Sequence, residues 1–340
     1  MTVASDARTL VPASAIRTQR VAWLQRGWIP VGGISLLAGV PGVGKSLWTV
    51  QLAARLSRGE LTGSPERTLI LTAEDSLSAT VAPRLREAGA DMDKVFVPSD
   101  GDRSLWLPDA VPEIREWVEA NEVRLLIIDP LTAFLPDGKV DTWRDSSVRS
   151  ALAPLARVAD RAKIAVVAVV HLNKGAGGDP MRRIGGSIGL PAAARSVLLL
   201  ADNPDDPGAE RRILAHAKSN YGRLSHSLLL ELRENVQLET AQLVEIGTST
   251  QTAGDLLSEQ EMPSRLDEAI DFLKVELANG GRPAGEVRKT AEKAGIKEIT
   301  LQRARRCLGV KSEKVGFDHW AWTLPDETAS AQDTDGKPAA

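Results

Sequence analysis

Gly39-Val40-Pro41-Gly42-Val43-Gly44-Lys45-Ser46 limits what this chain can become more than any other stretch. It follows the short apolar run Ile34 to Ala38, and Leu47 to Arg58 then carries apolar residues at helical spacing. A glycine-rich loop between a strand and a helix fits the pattern G-x-x-x-x-G-K-[ST]. Glycines let successive backbone N–H groups turn inward around an anion with no Cβ in the way. The N-terminal end of the following helix, opened by Leu47, offers its partial positive charge to the same anion. Lys45 adds a point charge and Ser46 a hydroxyl able to ligand Mg²⁺. The expected ligands are ATP and Mg²⁺, bound through Gly39, Val40, Pro41, Gly42, Val43, Gly44, Lys45, Ser46 and Leu47.

Further apolar runs are expected strands: Arg67–Thr72, Lys94–Val97, Arg124–Asp129 and Ile164–His171. Helical patterns lie between them, over about Leu77–Ala88, Pro112–Asn121 and Arg149–Ala162. Strands apolar throughout, each followed by a helix, predict an α/β fold with a mainly parallel sheet covered on both faces. Ser196–Leu200 and Arg211–Lys218, on either side of a turn-rich segment, read as a hairpin. Ser227–Leu232 and Val236–Ile246 read as short strands that continue it.

Acids at strand ends are the next candidates. Asp129 closes an apolar strand downstream of the loop, where a carboxylate can support Mg²⁺; the alternative is a helix cap after a buried strand, since Pro130 follows directly. Glu74 ends the strand after the phosphate-loop helix and is the candidate base that polarises an attacking water. Asp75 beside it is an orienting neighbour or a helix cap. His171 ends its own strand, at the edge where open α/β sheets gather ligands. It is either a γ-phosphate sensor or a simple strand cap.

The formal net charge of −3 excludes a globally basic nucleic-acid coat protein. The single cysteine, Cys307, and four scattered histidines leave no internal disulfide and no zinc-type cluster. No stretch reaches the ~18 apolar residues that cross a bilayer, and Met1 to Arg20 lacks a continuous apolar segment. The expected location is the cytoplasm.

Five motifs in order resemble the RecA-like ATPases, and among them the hexameric replicative helicases of the plasmid RepA type. They are Gly39–Ser46, Thr72-Ala73-Glu74-Asp75, Ile127-Ile128-Asp129-Pro130, His171-Leu172-Asn173-Lys174 and Ala217-Lys218-Ser219-Asn220-Tyr221-Gly222. The resemblance covers about Val21 to Ile246. It implies that Glu74 activates water, that Asp129 supports the metal, and that His171 couples nucleotide state to DNA-binding loops. It also implies a ring, and with it a homo-oligomer of hexamer size, in which a neighbour supplies a cation to each ATP site. Lys218 matches such a position, with Arg195, Arg212 and Arg223 as substitutes, because Asn220 stands where DnaB-type relatives carry arginine. The glycine-rich, basic segment from Lys174 to Ser187 would follow single-stranded DNA through Lys174, Arg182 and Arg183. The implied role is replication of a plasmid, phage or mobile element. A RadA-like repair or recombination ATPase is the alternative, although such proteins normally add a zinc motif. An ATP-dependent switch that recruits a partner is another.

The segment 1–20 reads as a flexible lead-in, 21–246 as the ATPase domain and 247–263 as a linker rich in Ser, Thr and Gln. The stretch 264–325 reads as a second domain and 326–340 as a disordered tail. From Arg282 to Lys314 ten basic residues stand against four acids. Three short helices and an aromatic strand there resemble a winged helix-turn-helix. Arg303, Arg305 and Arg306 would then lie on the helix that enters a DNA groove, so duplex DNA or a docking protein is the expected partner.

Overall fold

The computed structural model describes residues 11–99, 105–135, 140, 145–172, 183–184, 189–206, 210–259, 265–278, 280–296, 298–315 and 319–324. Two compact units divide the chain, one through Leu257 and one from Ser258.

The larger unit is built on a nine-stranded sheet. Its strands are β3 (Gly33–Gly39), β4 (Arg67–Thr72), β5 (Val95–Phe96), β6 (Val123–Asp129), β7 (Ala165–His171), β8 (Ser196–Asp202), β9 (Arg211–Ser219), β10 (Ser227–Asn235) and β11 (Thr240–Ser249). A small antiparallel pair, β1 (Trp23–Gln25) and β2 (Ile29–Pro30), precedes it. The spatial order is β11-β10-β9-β8-β3-β7-β6-β4-β5. From β8 to β5 every pairing is parallel, and from β8 to β11 every pairing is antiparallel.

Helices α1 (Lys45–Ser57), α2 (Ala82–Glu87), α3 (Val111–Ala120), α4 (Asp145–Ala162) and α5 (Gly189–Ala193) clothe the sheet. Successive strand side chains point to opposite faces. Ile34, Leu36 and Ala38 of β3 therefore join one core with residues of α3 and α4, such as Ile114 and Leu155. Leu37 joins the other, with Leu52 and Leu56 of α1 and Leu85 of α2. Burial on both faces explains why these strands are apolar throughout rather than alternating.

Two departures from the sequence expectation lie in the larger unit. Val236 to Glu239 is a turn, not the start of a strand. Asn235 Oδ1 accepts from the amides of Gln237 and Leu238, Glu239 has φ +48°, and β11 begins only at Thr240. Within the expected linker, β11 runs on to Ser249 and Ala253–Glu259 forms a helix, α6. Thr252 and Asp255 cap it reciprocally: the Asp255 carboxylate accepts from the Thr252 amide and hydroxyl, and the Asp255 amide donates to Thr252 Oγ1. Ala253, Leu256 and Leu257 are buried in the same core as α3 and α4.

The smaller unit contains α7 (Arg265–Leu277), β12 (Arg282–Pro283), α8 (Ala284–Lys293), α9 (Glu298–Cys307), β13 (Lys311–Val315) and β14 (His319–Thr323). Its strands form one antiparallel sheet in the order β12-β14-β13. Its core gathers Leu273, Leu277, Val287, Ala291, Leu301 and Trp322. Among the described residues no helix is long and apolar enough to cross a membrane.

Candidate functional site

Strand register brings the candidate residues together. Gly39 at the end of β3 lies opposite His171 at the end of β7, and Thr72 of β4 lies opposite Asp129 of β6. All four strands run parallel, so their carboxyl ends, with Glu74 just beyond Thr72, share one sheet edge.

The loop that opens from Gly39 is shaped by its glycines. Gly42 and Gly44 adopt φ of +80° and +102°, a region that side chains disfavour. At Gly39 the reason is space, since a Cβ there would stand 2.6 Å from the Leu200 carbonyl oxygen.

Lys45 is 5% exposed. Its ammonium donates to the carbonyls of Gly39 at 3.0 Å and Val40 at 2.8 Å, and lies 3.2 Å from His171 Nδ1. An ammonium has only protons to give, so Nδ1 must accept and the imidazole proton sits on Nε2. Burial and then the Lys45 charge lower the His171 pKa, which agrees with a neutral ring. Burial also lowers the Lys45 pKa, while Asp129 and Glu74 oppose that shift.

Asp129 carries a carboxyl raised to about 6, chiefly by burial, even though the Ser46 hydroxyl donates to it and Lys45 lies near. Glu74 and Asp75 also raise it. A half-buried carboxylate beside two other acids is a fit place for a divalent cation. Among the described residues no three His, Cys, Asp or Glu side chains cluster as a metal cage. Mg²⁺ needs no such cage, since it takes one or two protein oxygens and completes its shell with phosphate and water. Ser46 and Asp129 would hold it.

Asp75 pairs with Arg84 of α2 at 3.0 Å. Glu74 is exposed beside it, and its charge reaches Lys45, Asp129 and His171. Asp75 is thus anchored, while Glu74 stays exposed. Next to the loop lies a cavity of about 470 Å³, bordered by Leu47, Arg84, Asn235 and Thr240. The Thr240 hydroxyl is buried without a hydrogen-bond partner. Neither Arg84 nor the β10–β11 turn carried a signal in the sequence, because each meets the loop only through the fold.

The candidate trans-acting cations separate into two groups. Lys218 and Arg212 turn inward. Lys218 donates to the carbonyls of Pro191 and Ala194 at 2.6 and 2.8 Å, and Arg212, 8% exposed, donates to Val43 of its own phosphate loop at 3.2 Å. A cation on an interior strand finds backbone carbonyls nearby: Arg212 is buried against its partner, while Lys218 stays half-buried. Arg195 and Arg223 are exposed. They lie at the opposite end of the sheet, where Arg195 donates its amide to Ile34 and accepts one from Asn220.

Of the candidate DNA contacts, Lys174 and Arg182 lie outside the described residues, as does the Arg303 side chain. Arg183 donates to the Leu257 carbonyl at 2.9 Å, at the end of α6. Arg305 stacks over the buried Trp322 ring at 4.8 Å. Arg306 is exposed on α9.

Two curated relatives are DNA repair protein RadA of Helicobacter pylori strain ATCC 700392 / 26695, 28% identical, and of strain J99 / ATCC 700824, 27% identical. Each alignment covers 211 residues, 61% of this chain and 42% of the relative, so the chain spans less than half the length of either. The parallel sheet and phosphate loop agree with a RecA-like P-loop ATPase. Residues 5–177 match the AAA domain family, and the chain belongs to that family.

Proposed function

We propose that this protein hydrolyses ATP with Mg²⁺ and couples that reaction to DNA. The observation that carries the reading is the convergence of Lys45, Asp129, Glu74 and His171 on one glycine-rich loop. Lys45 exchanges its two carbonyl partners for β- and γ-phosphate oxygens. Mg²⁺ held by Ser46 and Asp129 would neutralise charge on those oxygens. Glu74 orients a water in line with the γ-phosphate and takes its proton. The 470 Å³ cavity receives the nucleoside half, with Thr240 offering its hydroxyl to the base.

His171 reads the reaction because its Nδ1 depends on the Lys45 proton. The next residue, Leu172, bridges to Ile184, so β7 leads directly into the basic segment expected to follow single-stranded DNA. The smaller unit has the element order of a winged helix, with α9 as the helix for duplex DNA and Arg306 as its available contact. The working form is a ring of hexamer size, in which Arg195 or Arg223 reaches a neighbour's site.

Steady-state hydrolysis with and without single-stranded DNA tests the reading. Several-fold stimulation supports a DNA-coupled ATPase, while indifference to DNA leaves a nucleotide switch. The names of the two relatives support a second reading, a repair ATPase, beside the replicative helicase of the RepA type. A forked duplex separates the two. ATP-dependent strand displacement supports the helicase, and stimulated hydrolysis without displacement supports the repair ATPase.

A further inference from the structure

We infer that Arg212 is a positioning residue for the phosphate loop of its own chain. The inference rests on the nucleotide-binding role assigned to that loop. A loop that aims its N–H groups at an anion must turn some of its carbonyls outward, into the protein. A carbonyl buried that way needs a donor. For Val43 the donor is Arg212 Nε, at 3.2 Å from β9.

The guanidinium is itself held. Asp202, its register partner at the end of β8, approaches Nε at 3.1 Å, and Nη1 donates to the Arg211 carbonyl at 3.1 Å. Arg212 is 8% exposed and Val43 is 3% exposed, so water does not readily substitute for this contact. The same hairpin presses on the loop at a second point, where the Leu200 carbonyl leaves Gly39 no room for a Cβ. The β8–β9 hairpin therefore backs the loop at both Gly39 and Val43, and Arg212 is the charged half of that support.

A support of the loop acts on ground state and transition state alike, because the β-phosphate is cradled in both. Such an interaction appears in KM and leaves kcat nearly unchanged. Arg212→Ala should raise the Kd for a fluorescent ATP analogue and the KM for ATP at least tenfold, with kcat within about twofold of wild type. Arg212→Lys keeps the charge and one donor, and should recover part of the loss. Asp202→Asn should shift KM in the same direction by less.

Wild type and Lys45→Ala are measured alongside. A wild type that binds no more tightly than Lys45→Ala removes the nucleotide reading itself. A wild type that binds, together with an Arg212→Ala protein of equal Kd and KM, removes only the role of Arg212. A fall in kcat at constant KM also overturns it, since that is the signature of a cation acting on the transition state. If Arg212→Ala does not fold, Arg212→Lys and Asp202→Asn still decide by the same KM and kcat comparison.

Discussion

At the residue scale the site rests on charges and small backbones that have no substitute nearby. Asp75 is held by Arg84, so Glu74 is the acid free to meet water. Glu74→Gln keeps the size and polarity of the side chain and removes its capacity to take a proton. Nucleotide affinity should stay near wild type while kcat falls by roughly 10²–10⁴, the usual worth of general base catalysis. Unimpaired turnover in that variant would move the base elsewhere. Gly39→Ala tests space instead. A methyl group 2.6 Å from the Leu200 carbonyl forces the loop or β8 to shift, and titration should show nucleotide affinity lost at least tenfold. These positions were legible in the sequence, because a phosphate loop and strand-end acids are local patterns that the parallel fold preserves. The roles of Arg212 and Lys218 were not legible. Each depends on which carbonyl a neighbouring strand brings close, and the neighbour is fixed only once β8 and β9 pair.

At the scale of elements the parallel core followed from its unbroken apolar runs, and the antiparallel extension followed less well. The β10–β11 turn was misplaced because Val236 and Leu238 look like strand residues. The local choice belongs to Asn235, whose side chain accepts two backbone N–H groups and bends the chain before Thr240. Helix α6 was hidden by a polar composition, although Thr252-Ala253-Gly254-Asp255 is a capping signature and Leu256-Leu257 an apolar pair. Thr252→Ala removes one half of the reciprocal cap. The melting temperature should fall by a few degrees, and hydrogen exchange should speed up in Ala253–Glu259 before the sheet strands. Exchange that rises equally in β3 and β7 would mean that α6 is not a separable element.

At the scale of the whole molecule, pH tests how the larger unit is tied together. His216 is 3% exposed, lies parallel to Trp28 at 5.6 Å, and accepts the Ser225 amide at Nδ1. Its proton is therefore on Nε2, which donates to Ser196 Oγ, and Ser196 donates onward to the Trp28 carbonyl. One neutral imidazole thus joins the β1–β2 pair, β8 and the segment after β9. Burial lowers its pKa from the ordinary 6.5. Above that value the ring is neutral in folded and unfolded chains, and the full stability is present. As pH falls through 6.5 the unfolded chain takes the proton first, so stability declines until the folded ring also titrates. Asp129 works in the opposite sense, because a carboxyl raised from 3.8 to about 6 favours the folded state on acidification across that window. The two effects oppose each other below about pH 6 for as long as the folded ring stays neutral, and a single curve of stability against pH cannot apportion them. His216→Gln separates them, since an amide can accept from Ser225 and donate to Ser196 without titrating. Urea unfolding from pH 7.5 to 5 should show a smaller loss of stability in this variant than in wild type, whatever its stability at pH 7.5. Parallel curves for the two proteins would show that His216 does not link the unit to pH.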